Sequence, residues 1–215
     1  MLPLRDHLPT RTFPFINYAL IAANVVVFVA QMTRAVDTEQ LAFVPARLFV
    51  DPVGGVETLF TAMFLHAGLA HIGGNMLYLW IFGDNVEDAM GHLRFIAFYL
   101  ACGAAGALAH AFAHPTSTQP LIGASGAVAG VIAAYLLLHP RARVWVLAFR
   151  IIPLRIAAVW VLGAWAATQF VMLLLGPREV AWWAHIGGMA AGAVLILFLR
   201  RPGVRLFDRA RLALD

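Results

Sequence analysis

The sequence predicts an all-α membrane protein, a bundle of six transmembrane helices with both termini cytoplasmic. Three observations carry that expectation. The chain is 62% hydrophobic and 12% charged, with a mean hydropathy of +0.82, whereas a soluble domain is roughly half apolar and about a quarter charged. Apolar stretches near membrane-crossing length recur along it. The arginines fall almost entirely on one side of those stretches, as the positive-inside bias requires.

The spans fall at 14–32, 71–89, 94–113, 124–138, 151–175 and 182–200. The first follows Arg5 and Arg11, as a signal peptide would. It is longer than a signal core and lacks a small-x-small cleavage site, so it is expected to remain as a helix. A long outer segment, 33–70, follows; its second half, from Thr58 to Ala70, is apolar but too short to cross and is expected at the outer interface. The second and third spans run from His71 and from Arg94. The fourth is closed by His139-Pro140-Arg141. The fifth follows Arg150, and the sixth opens on Trp182-Trp183, a pair suited to an interfacial aromatic belt. With the N-terminus inside, the inner segments hold twelve arginines and the outer ones only Arg34, Arg47 and Arg178. Residues 1–13 and 201–215 then form cytoplasmic segments around a membrane domain at 14–200. The continuous apolar runs do not alternate as barrel strands would.

The net charge of +4 does not imply nucleic acid, because no basic stripe interleaved with aromatics is present. The lone Cys102 cannot form an internal disulfide.

Polar groups inside a bilayer are costly and mark function. His71, Asn75, Ser125 and His185 stand out. The second, fourth and sixth spans all run from outside to inside, so parity alone brings these residues to the outer end of the bundle. At about 1.5 Å per residue, the span 124–138 reaches only ~22 Å against a hydrocarbon core of ~30 Å. Ser125 is therefore expected ~8 Å below the outer interface, with Pro120-Leu-Ile-Gly123 dipping in above it. Small residues at steps of four, Gly126 and Gly130 on one helix and Ala184, Gly188 and Gly192 on another, permit close packing.

A serine hydroxyl needs a base to attack at neutral pH, and His185 is the candidate. No acid occurs between Asp88 and Glu179, which leaves a Ser–His dyad. His71 and Asn75 share a helix face and can direct N–H donors at an oxyanion, joined by the backbone N–H of Ser125. A different chemistry, zinc held by His66, His71 and His185, lacks a neighbouring carboxylate base.

Gly123-Ala-Ser-Gly126 with Gly130, His71-Ile-Gly-Gly-Asn75, and Ala184-His-Ile-Gly-Gly188 with Gly192 resemble, in order and spacing, the motifs of rhomboid proteases. Gly83-Asp-Asn-Val-Glu87 with Gly91 and Arg94 resembles that family's turn into the third helix. The resemblance covers about residues 58–200. It implies a rhomboid-like bundle and an intramembrane serine endopeptidase, without cofactor or metal. The substrates would be single-pass transmembrane proteins, cut by a Ser–His dyad in the plasma or inner membrane. Ser125 would be nucleophile, His185 base, and His71, Asn75 and the Ser125 N–H oxyanion donors. His66, Gly123, Gly126 and Gly188 would be structural. The chain departs from some members at Ala129, where they carry a tyrosine that stacks on the base, and at Glu57-Thr58, where they carry Trp-Arg.

Overall fold

Apolar surroundings leave backbone N–H and C=O groups no solvent partner, so a chain this greasy must satisfy them internally, above all as helix. A computed structural model describes residues 2–148, 151–176 and 180–208. In chain order the elements are β1 (Leu2–Asp6), α1 (Phe15–Met32), α2 (Thr38–Leu41), α3 (Pro45–Val50), α4 (Pro52–Thr61), α5 (Leu69–Tyr78), α6 (Asp84–Met90), α7 (His92–Ala113), α8 (Ser125–Leu138), β2 (Arg143–Ala148), β3 (Ile152–Ala157), α9 (Ala158–Leu175) and α10 (Trp182–Leu199). A π-helical turn, Leu79–Gly83, joins α5 to α6.

Among the described residues, α1, α7, α9 and α10 are long and apolar enough to cross a bilayer. The segments Pro52–Phe64 and Leu69–Met90 form a pair bent by 85°, so the second half of the long outer segment is a helix lying across the bundle. The fourth apolar stretch, α8, has only 14 residues.

The expectation of an all-helical chain needs correction at one end. Residues 151–157 are not the start of a span: Ile152–Ala157 is a strand, and the helix begins at Ala158. The three strands form an antiparallel sheet in the order β1-β2-β3. Alternation explains it: Val144 and Val146 turn inward and are buried, while Arg143 faces out. Pro3 and Pro153 both lie on the outer strands, where a missing N–H is tolerated. Asp6, at the end of β1, accepts hydrogen bonds from the Tyr135 hydroxyl at 2.6 Å and the Asn85 amide at 3.2 Å. These pin the sheet to the C-terminal end of α8 and the start of α6. Burial pushes the Asp6 carboxyl up to about 6, against the opposing pull of the Tyr135 hydroxyl and the Leu8 N–H.

The core sits between α7, α8 and α10, around the fully buried Phe95, Phe98, Tyr99, Ile132, Tyr135 and Leu138. Glycine sets how near these helices come. A Cβ on Gly188 would overlap the Gly126 carbonyl, and one on Gly192 would overlap the Gly130 carbonyl. A Cβ on Gly106 of α7 would stand 2.5 Å from the Ala184 carbonyl oxygen.

A buried carboxylate ties α1 to this core. The Glu87 side chain is fully enclosed and accepts from the Ile16 N–H at 3.0 Å and the Asn17 N–H at 2.7 Å. It also contacts His92 Nδ1. These are first-turn amides of α1, without partners inside their own helix, and a negative charge is favourable there. Asp88 accepts in the same way from the Thr12 N–H and hydroxyl. The Asn17 amide donates to the Leu79 carbonyl at 3.0 Å, at the π-helical turn. Glu87→Ala would orphan two buried N–H groups at ~1–3 kcal/mol each. The expected outcome is a loss of about 2–5 kcal/mol, read as a markedly lower Tm in detergent; a Tm unchanged from wild type would contradict this role.

Candidate active site

Ser125 opens α8 and His185 lies in the first turn of α10. Because Gly126 and Gly188 bring the two backbones into contact, side chains from adjacent first turns can meet. The Ser125 hydroxyl stands 2.9 Å from His185 Nε2. On the other side of the imidazole, Nδ1 lies 2.7 Å from Oε1 of Gln169, a residue of α9. Gln169 is 4% exposed. Trp182 meets the His185 ring edge-on at 6.0 Å, and Trp165 lies tilted against it at 6.1 Å. Ala129, in α8, is fully buried and offers the imidazole no aromatic face. The base is instead surrounded from α9 and α10.

The segment leading into Ser125 is irregular, and polar backbone among apolar helices must be covered. Leu121 and Phe43 exchange hydrogen bonds at 2.7 and 3.2 Å, Ala46 N–H donates to Ser117 O at 3.0 Å, and Gly123 N–H donates to Ala62 O at 2.9 Å. The bent outer segment therefore supplies the partners that the descending strand needs. Gly123 adopts φ +124°, and a Cβ there would come within 2.7 Å of the His71 ring. Only glycine suits both the backbone and the contact.

His71 and Asn75 stand one turn apart on α5. The Ala67 N–H donates to His71 Nδ1 at 3.3 Å, which leaves Nε2–H of the neutral ring beside Gly123. Asn75 is 7% exposed, and its amide nitrogen has no protein partner. An unspent, shielded donor costs ~1–3 kcal/mol, a cost that needs a reason. His66 is buried and packs edge-on against His71 at 5.1 Å. Its backbone N–H donates to Gln31 at 2.9 Å, tying the bend to α1.

Ser125, His185, His71 and Asn75 line one cavity of about 1120 Å³. No carboxylate lines it among the described residues; Glu179, the acid nearest in sequence to α10, lies outside them. Nor do three His, Cys, Asp or Glu side chains among the described residues come together as a metal-ligand group. Sequence reasoning passed over Gln169, which contacts His185 from behind, and Trp165, His110 and His114, which also line the cavity. The signal was available for Gln169, a solitary amide in an apolar span. An amide can orient an imidazole as an acid does, by accepting from its Nδ1–H.

The Rhomboid domain family matches residues 54–202 of the chain. The chain is 27% identical to RHOMBOID-like protein 12, mitochondrial, of Arabidopsis thaliana, over 71% of its own length and 49% of that protein's. It is 29% identical to Rhomboid protein 1, mitochondrial, of Saccharomyces cerevisiae, over 89% of its length and 56% of that protein's. It is 35% identical to Rhomboid protease GluP of Bacillus subtilis, over 57% of its length and 24% of that protein's. The chain thus spans about half, or less, of the length of these relatives.

Proposed function

The chain belongs to the rhomboid family, and from that premise we propose that it is an intramembrane serine endopeptidase that cuts transmembrane-anchored proteins. The observation that carries this reading is the 2.9 Å contact between Ser125 Oγ and His185 Nε2 inside a cavity of about 1120 Å³. A hydroxyl already hydrogen-bonded to an imidazole is the arrangement that nucleophile activation requires. The relative from Bacillus subtilis, named a protease, supports the same chemistry.

In this mechanism Ser125 Oγ attacks the scissile carbonyl carbon while its proton passes to His185 Nε2. The carbonyl oxygen becomes an oxyanion, and His71 Nε2–H, the Asn75 amide and the Ser125 N–H donate to it. Collapse of the tetrahedral intermediate breaks the C–N bond, and the leaving amine takes the proton from His185. A water entering the cavity then attacks the acyl ester, with His185 again as base, and releases Ser125. The reaction draws on no cofactor or metal.

Six spans with both termini cytoplasmic, at 14–200 between tails at 1–13 and 201–215, fit this chemistry. That topology puts the first turns of α5, α8 and α10 at the outer end of the bundle. A 14-residue α8 is ~9 Å shorter than the hydrocarbon core, which sinks Ser125 below the headgroups. A substrate helix would be cut near its outer end. The arginine asymmetry supports this orientation, and the plasma or inner membrane is the proposed location.

A reconstituted chain should cleave a single-pass helix and become labelled at Ser125 by a fluorophosphonate, with both lost in Ser125→Ala and His185→Ala. Cleavage by Ser125→Ala at the wild-type rate would end this reading. Asn75→Ala removes one donor of three. Its kcat should fall by about 10–10²-fold, short of the ~10²–10³ seen for a single oxyanion donor, with KM little changed. If Asn75 only bridges helices, the Tm will drop and kcat per folded molecule will not.

A further inference from the structure

We propose that Gln169 is a positioning residue for the base, holding His185 in the one tautomer that can take the Ser125 proton. The inference rests on the Ser125–His185 reading above and adds a third member to it.

A chain of hydrogen-bond polarity leads to this conclusion. Gln169 Nε2 lies 2.9 Å from the Trp165 carbonyl oxygen. A carbonyl can only accept, so the amide nitrogen must face it. The opposite amide orientation would set two oxygens against each other. Oε1 is thereby turned to His185, 2.7 Å from Nδ1. Oε1 also only accepts, so Nδ1 must carry the proton. In the neutral imidazole Nε2 is then the bare nitrogen, and Nε2 is the atom 2.9 Å from Ser125 Oγ. The backbone of α9 thus dictates, through one side-chain amide, which end of the imidazole accepts. A neutral ring without this partner populates both tautomers, and the one protonated at Nε2 cannot accept from Ser125.

The placement of Gln169 argues for a purpose beyond packing. Helix α9 buries only Ala158, Val161, Leu162 and Gln169. The first three lie in its initial turns beside the sheet. In its second half the sole buried residue is a polar one, and it is turned onto the base. Local needs do not require this, since the amide nitrogen is already satisfied within its own helix. The aromatic that stacks on the base in some family members is Ala129 here, so a hydrogen bond from α9 fixes the ring where a face contact would otherwise do so. A neutral amide supplies direction without a second buried charge, which at this depth would be costly.

The test uses the full chain in detergent, with ¹⁵N-labelled histidine and the His185 signals assigned by their loss in His185→Ala. In the wild type, Nδ1 should appear as a pyrrole-type and Nε2 as a pyridine-type nitrogen at neutral pH. The reverse assignment would overturn the proposal without any Gln169 variant. Gln169→Met keeps the volume and removes the acceptor. Its kcat per folded molecule should fall about 10–100-fold, part of the ~10²–10⁴ of general-base catalysis. KM should stay within about threefold, and the His185 nitrogens should shift toward a mixed tautomer. Wild-type kcat and an unchanged spectrum in Gln169→Met would refute the positioning role. If Ser125→Ala and His185→Ala remain inactive beside such a result, the failure belongs to Gln169 alone; if those two variants keep activity, it belongs to the dyad.

Discussion

The backbone contact between α8 and α10 is the constraint on which the rest of the structure depends. Gly188 and Gly192 lie against the backbone of Gly126 and Gly130, with no room for a side chain at either. In a bilayer no hydrophobic force drives helices together, so close van der Waals contact must do much of that work. Here the contact also has a chemical result. Helix axes usually stand 8–10 Å apart, and a short serine side chain cannot bridge a wide gap. Only when the two backbones nearly touch do first-turn residues of both come within hydrogen-bond distance.

The remaining architecture serves that seam. Helix α7 closes its third side through Gly106 and Cys102. Helix α1 is fastened by the carboxylates of Glu87 and Asp88. An irregular segment leads into the short α8, and bare backbone among apolar helices is tolerated only when covered. The bent outer segment covers it, donating and accepting at Phe43, Ala46 and Ala62. The same segment carries the chain into α5, where His71 and Asn75 stand. Covering the approach to Ser125 and placing His71 and Asn75 beside it are thus one construction. The three-stranded sheet, tied through Asp6 to Tyr135, fastens the opposite end of α8.

Much of this was legible in the sequence. Long apolar runs end where the spans do because hydropathy has a length requirement. Ser125, His185, His71 and Asn75 stood out because polar residues are rare in such runs. The glycine steps of four marked the faces that touch. What could not be read had physical reasons. The apolar run of β3 merges with that of α9, and a short apolar strand shares its composition with a helix. The π-helical turn at Leu79–Gly83 leaves no local signature; its Leu79 carbonyl accepts from Asn17, distant in sequence. The link from Gln169 to His185 spans two helices whose relative rotation the sequence does not specify. His110 lies in the last turn of α7 and His114 just beyond its end, and only the packing of the bundle directs them to the cavity.

The dependence of the chemistry on the helix seam can be measured directly by placing a side chain in it. Gly188→Val adds a branched group where the Gly126 carbonyl now lies, and the two helices must separate to hold it. Overpacking of this kind typically costs ~1–3 kcal/mol, so a folded fraction should remain for study. The measurement is the rate of fluorophosphonate labelling at Ser125 per folded molecule, with folding read independently from the unfolding midpoint. The account predicts that labelling falls by at least about 100-fold, because a hydroxyl moved out of reach of His185 Nε2 is no longer activated. Wild-type labelling in a folded Gly188→Val protein would contradict it.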